Sequence, residues 1–420
     1  MSNRLLATTI GLTMALMSAY AWGQGAPAAI SAETKAAAGE LNEVQKAEVD
    51  AFLKSCARRL TAGATSAPAA GPQLDARRKE AAAVRNDIAA NYANDNGAGY
   101  KRYFAISADT NFAATCLASP DPFVQVNAAL ALARIRQSEI APALDRMLAS
   151  PNAAVRYQGV KAYGGIREAM LGQSNETRER MMTGLLAVAE KENSPVVLGA
   201  LYDALDLSNV PNVSDQVMRQ LRPRARLAVT ACLKRSVVTI RRGDAAMAQA
   251  VTRGARTVLG DITAEMPKNE RTDLLQVLAD VLKNASVTHQ ELFRSLADAR
   301  DRQRDCMDLM VQEYAAAIME LERVIGQIIT RAETPVADAL RQRPAPSPEK
   351  VMLAVNDWVG TGGDGGSTGR LGGEGVRPPV VLPEGPMLPK PAPIQPTLGP
   401  IRPLARPSSA PATNPTLPPS

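Results

Sequence analysis

Apolar residues recur along most of this chain at spacings of three and four, with almost no strict apolar/polar alternation, a pattern of helices rather than strands. Over 38–60, Leu41, Val44, Phe52, Cys56 and Leu60 fall roughly on one side of a helix. A second helix over 74–92 turns Ala81, Val84, Ile88 and Tyr92 inward and stops at "NDNGAG", while "TAGATSAPAAGP" between the two has linker composition. From about residue 107 the chain repeats itself. "SPDPFVQVNAALALARI" at 119–135 returns as "SPNAAVRYQGVKAYGGI" at 150–166, and Val124, Ala131, Leu132 and Ile135 share a face just as Val155, Ala162, Tyr163 and Ile166 do. A looser copy begins at "NSPVVLGALYDAL", with Val197, Ala204 and Leu205 at matching offsets. Pro122 sits early in its helix, where a missing N–H costs little. Amphipathic segments at 140–148 and 178–189 precede the second and third copies, so the unit reads helix, turn, helix.

That unit resembles the short form of the HEAT repeat, about 30 residues against the about 40–47 of the usual one. The resemblance covers 107–207. Gly164 and Gly165 depart from it where Ala or Leu is preferred, and so does the wider spacing of the third copy. It implies an all-α fold, an irregular right-handed alpha-alpha superhelix (a HEAT/armadillo-like solenoid) whose concave face binds other macromolecules. The physical motive is that one helix pair cannot bury its apolar face alone, so neighbours stack.

Past residue 210 the period is lost but helical spacing continues. Pro223 is expected to open a helix reaching 242, with Val229, Leu233, Val237 and Ile240 as its buried stripe. Asp244 is suited to cap the next helix, and Asn269 one that runs to about 283. A long helix is then expected over 288–331. Met307, Met310, Tyr314, Ala317, Leu321, Val324 and Ile328 alternate three- and four-residue steps along it, a coiled-coil-like seam that serves packing within the chain or self-association through 307–328. Residues 351–358 are expected to dock back.

The ends change the domain picture. Arg4, an apolar run over 5–17 and the small residues of "SAYAWGQ" read as a signal peptide, 1–23, cleaved after Ala21 or Gly23, since the run is shorter than a bilayer needs. The folded part then divides into an N-terminal helical segment (31–100), the HEAT-like repeats (101–210) and a further helical region (211–358). The remainder, 359–420, is Gly-rich and then holds about half of the chain's 30 prolines, so it reads as flexible linker followed by extended chain. Its prolines three apart, at Pro383, Pro386 and Pro389, suit a three-residue-per-turn ligand helix or a passive spacer. The expected location is the periplasm or cell envelope, with no transmembrane segment after cleavage.

Composition adds little chemistry. A net charge of +6 favours acidic partners only weakly. The four cysteines, Cys56, Cys116, Cys232 and Cys306, lie far apart without a CxxC pair; export would permit disulfides, but small apolar helix positions are the simpler role. His289 is the only histidine, which removes His-based metal and triad sites, and it is expected in a helix first turn facing solvent. "GTGGDG" at 360–365 fits a phosphate-loop pattern in letters alone, because no helix follows it. No carboxylate pair is expected in apolar surroundings. Charge is unusual only over 219–256, where ten arginines and lysines face Asp244 alone. Arg224, Arg235 and Arg242 align opposite the apolar stripe, with Lys234 and Arg241 beside them. This is either a solvated, locally paired face or an anion- or partner-binding surface. No aromatic residue interleaves with it, so no nucleic acid is expected.

The expectation is therefore a non-enzymatic interaction scaffold without cofactor or metal, holding a protein partner. Its alternative is an envelope protein that holds an anionic polymer on 219–256. A third reading, an enzyme like the HEAT-like lyases that handle bilin chromophores, rests on the resemblance alone.

Overall fold

The computed structural model describes residues 29–383 except 65–70, 94, 209, 211–212, 262–265, 298, 300, 343–346 and 362–366. The expected leader, 1–23, and the tail beyond 383 lie outside the described residues. Among the described residues the chain is all-helical and carries no strand. Among the described residues no helix is long and apolar enough to cross a membrane.

The first half follows the local signals closely. Helix α1 (Ala32–Ala36) leads into α2 (Glu43–Thr61), which Asn42 opens with a capping box: its side chain accepts from Gln45 N at 2.9 Å and Gln45 answers to Asn42 N at 3.0 Å. Leu41, Phe52, Cys56 and Leu60 are buried, but Val44 is 72% exposed and leaves the expected stripe, since the following residues fix a face centred on Val49 and Phe52. Helix α3 (Gly71–Asn91) buries Ala81, Val84 and Ile88. Helix α4 (Ala98–Ser107) continues through a π-helical stretch, Ala108–Ala113, into Ala114–Cys116.

Then come α5 (Pro122–Leu132), α6 (Ala141–Leu148), α7 (Ala153–Leu171), α8 (Asn175–Ala189) and α9 (Pro195–Leu205). Each repeated side chain, from Val124 and Ile135 through Val155, Tyr163 and Ile166 to Val197 and Leu205, is buried. Asp121, Asn152 and Ser174 cap α5, α7 and α8.

The second half departs from several expectations. Helix α10 (Asp215–Ile240) begins well before Pro223, which lies inside it. Ser214 supplies the cap, and the buried Met218 and Leu221 anchor the extra turns. Helix α11 (Ala245–Asp261) follows, with Asp244 Oδ1 accepting from Ala246 N at 2.8 Å. The helix expected to stop near 283 runs on as α12 (Lys268–Ala297), and the single helix expected over 288–331 is instead the end of α12 and a separate α13 (Asp301–Ile328). These two pack on each other, because folding back is how both apolar stripes leave water. From Tyr314 to Ile328 the heptad seam is buried within the chain, whereas Met307 and Met310 are half-buried. Helices α14 (Pro335–Leu340) and α15 (Pro348–Val359) close the array, α15 docking on α12 with Trp358 fully buried.

Packing order is regular. Helices α5, α7, α9, α11 and α13 each pack on the next in that series, α6, α8, α10 and α12 do the same, and most successive helices join the two rows. Among the described residues one apolar cluster runs from Ile30 to Val376.

The Gly-rich stretch is corrected too. Residues 362–366, which hold most of "GTGGDG", lie outside the described residues. Gly369–Glu374 is a 3-10 turn with Leu371 buried, and 376–383 lie against α12 rather than forming a free linker.

Candidate functional site

A cleft of about 630 Å³ opens where α6 hands over to α7, with α8 as its other wall. Helix α8 turns Arg180, Gly184, Ala187 and Val188 towards it, a spacing of four, three and one that keeps them on a single face, and Lys191 follows just beyond the helix. Small side chains at Gly184 and Ala187 leave the space, and a Cβ at Gly184 would already touch Leu148 Cδ1 at 3.4 Å. The floor, of Leu148, Ala149, Ala187 and Val188, is apolar.

Fixed charges stand at both ends. At one, Asp145 accepts from Arg180 Nε at 2.6 Å and from the Tyr163 hydroxyl, whose pKa burial, and then this carboxylate, raise. At the other, Glu192 is 3% exposed yet fully satisfied: it accepts from Arg156 Nε at 2.7 Å, Arg156 Nη2 at 3.0 Å, Asn193 N at 2.9 Å and Ser194 N at 2.8 Å. Burial alone would raise this carboxyl, but the Arg156 guanidinium and the two amides hold it below its ordinary value. Arg156 also donates to Ser150 O at 2.9 Å and Pro151 O at 2.8 Å, tying the turn before α7 to the turn before α9.

The basic surface expected from the sequence borders this cleft, largely paired. Arg224 bonds Glu179 on α8 at 2.9 Å, and Arg235 reaches Asn193 Oδ1 and Glu192 O just past the same helix, so two arginines of α10 bracket the helix that forms the cleft wall. With Asp145–Arg180 and Arg226–Glu270 at 3.1 Å, ion pairs connect α6, α8, α10 and α12 in turn. Arg241 is 5% exposed and points inward, donating to both oxygens of Glu291 at 2.8 Å and to Thr288 Oγ1 at 3.0 Å. Arg242 and Lys234 are exposed. The five residues therefore divide: Arg224 and Arg235 beside the cleft, Lys234 exposed on α10 and Arg242 exposed in the turn just beyond it, Arg241 in the interior.

One further expectation is corrected, and single carboxylates prove buried. His289 is not in a solvent-facing first turn but in the body of α12, 1% exposed, and burial pushes its pKa down to about 4. Buried carboxylates do occur. Glu322 is inaccessible and is raised by that burial, although it accepts from Val336 N and Ala337 N at 2.7 Å each. Cys56, Cys116 and Cys232 are buried thiols and Cys306 an exposed one. Among the described residues no group of three or more His, Cys, Asp or Glu could hold a metal ion.

Sequence reasoning passed over Asp145, Arg156, Arg180 and Glu192. The available signal was the small-residue face of α8, Gly184 and Ala187, immediately before the repeat-opening "NSP". Searches against protein families and curated proteins return no match: neither a family model nor a curated protein is similar to this chain.

Proposed function

We propose that the protein is an exported, non-enzymatic interaction scaffold. Its helix pairs form an irregular right-handed superhelix of the HEAT type, and a protein partner docks over the cleft between α6 and α8. The observation that carries this reading is the cleft's construction: an apolar floor of small side chains between two ends of ion-paired, already oriented charge. Such a floor accepts apolar side chains of a partner, and pre-set charges at the rim fix orientation at little further ordering cost. Packing of each helix on the next but one in two rows supports the superhelix. The test is capture from envelope extract at about 50 and about 300 mM salt, a range over which polyelectrolyte contacts fall steeply. One defined protein, held at both salts by the wild type and lost with Ala187→Arg, is the expected result. Equal capture by Ala187→Arg overturns the cleft as its seat.

A second reading, an anionic envelope polymer held on 219–256, draws support from the exposed Lys234 and Arg242. It loses weight because Arg224, Arg226, Arg241, Arg253 and Arg256 each already face a carboxylate. Retention of acidic polymer at low salt only, abolished by the triple reversal Arg224→Glu, Arg235→Glu, Arg242→Glu, would favour it.

A further inference from the structure

After α15 the chain passes through the 3-10 turn Gly369–Glu374 and then runs extended along α12, in the same direction. Thr272, Gln276, Asp280 and Asn284 stand one helical turn apart on α12, and each bonds the main chain of this segment. Thr272 Oγ1 donates to Glu374 O at 3.2 Å. Arg377 N donates to Gln276 Oε1 at 2.8 Å and Val380 N to Asp280 Oδ1 at 3.0 Å. Asn284 uses both ends of its amide, donating to Val380 O at 2.7 Å and accepting from Leu382 N at 3.0 Å. From α10, Arg241 Nε donates to Leu382 O at 3.2 Å.

Side chains of the segment follow a period of three. Val376 and Pro379 are buried and Leu382 is half-buried, while Arg377, Val380 and Val381 face water. A burial period of three with two prolines in the run fits a polyproline-II chain, in which backbone groups are left for a partner to satisfy. Donors and acceptors spaced along α12 meet those groups whatever the intervening side chains are.

We propose that the Thr272–Asn284 face of α12 is a binding site for polyproline-type peptide, reading main chain through its polar ladder and an apolar-x-x-Pro-x-x-apolar pattern through its contacts, and that residues 374–382 are its resident ligand. The tail offers a comparison within the same sequence. Ile401, Arg402, Pro403, Leu404 and Pro407 echo Val376, Arg377, Pro378, Pro379 and Leu382, but Pro407 brings no N–H to where Leu382 donates.

The experiment uses the full chain with the resident segment released by Val376→Asp and Pro379→Asp, and follows the fluorescence anisotropy of a labelled peptide of residues 374–383. Because the resident segment reduces the competent fraction of the wild type, the released chain is expected to bind the peptide at least about tenfold more tightly. Asn284→Ala in the released background removes that gain, and a peptide of residues 399–408 binds more weakly than the 374–383 peptide. A released chain that ignores the 374–383 peptide, or that binds it equally with Ala at 284, overturns the proposal. If the released chain loses its helical circular dichroism, hydrogen exchange of the wild type decides instead. Amides of Arg377, Val380 and Leu382 slowed at least about a hundredfold support the docked ladder, and exchange at unprotected rates overturns it.

Discussion

His289 shows what burial does to a single group. Its ring lies beside Phe293, with centroids 6.3 Å apart, and its Nδ1 is without a hydrogen-bond partner. Burial lowers its pKa from 6.5 to about 4, so the folded chain prefers the neutral ring. Stability from this preference is whole above pH 6.5 and is lost as pH falls towards 4, at up to about 1.4 kcal/mol per unit. As the chain's only histidine, it should give one imidazole signal by NMR with a midpoint near 4; a midpoint near 6.5 would place the ring in water. Glu192 acts in a lower window. Its folded pKa is depressed, so its contribution is present above the ordinary 4.5 and lost as pH falls through the folded value. Arg156→Ala leaves that carboxylate buried without its cation and should cost about 3 kcal/mol in denaturant unfolding. Thiol chemistry separates the cysteines: burial pushes Cys56 and Cys116 up to about 12 and raises Cys232 further, whereas Cys306 is exposed. Brief maleimide treatment near pH 8 should therefore add a single mass increment to the native chain, at Cys306, and label all four cysteines only in denaturant. Little of this was legible in sequence, because the partners are distant along the chain: Arg156 meets Glu192, and Arg241 meets Glu291.

Helices were legible where caps and stripes agree. Asp121 and Asn152 cap where the pattern starts, whereas Asn42 delays to Glu43 a helix expected from residue 38, and the apolar face over Val155 to Ile166 is buried as its spacing implies. Failures came where tertiary packing outweighed a local rule. Pro223 reads as a helix start, yet the preceding turns are paid for by Met218 and Leu221 in the core. The charged run before Met307 suits continuous helix, yet α12 and α13 fold back to bury facing stripes. Close approach of elements also escapes a pattern reading. Gly254 on α11 faces the Tyr202 ring of α9, where an added Cβ would lie 2.6 Å from Cζ. Gly254→Ala should consequently lower stability by about 1–3 kcal/mol in urea unfolding, despite its better helix propensity. An unchanged midpoint would mean that the ring yields freely.

At the scale of the molecule, the all-helical character was legible in the sequence, but the cleft did not announce itself, since a gap between helices is made by what is small on two elements at once. One of its ends is held by the Asp145–Arg180 pair, the first in a series that ties α6, α8, α10 and α12 together, so screening by salt acts on the frame as well as on any ligand. The segment docked on α12 has a metric consequence. A helix advances about 1.5 Å per residue and a polyproline chain about 3.1 Å. From Thr272 to Asn284 the helix climbs about 18 Å, and over that length four side chains one turn apart hold the main chain from Glu374 to Leu382. A slip that brings Pro378 and Pro383 to the places of Arg377 and Leu382 removes two of the three N–H groups donated to this ladder, since proline has none. It follows that the last main-chain groups held in register are those of Leu382, whose N–H is bound by Asn284 and whose carbonyl is bound by Arg241.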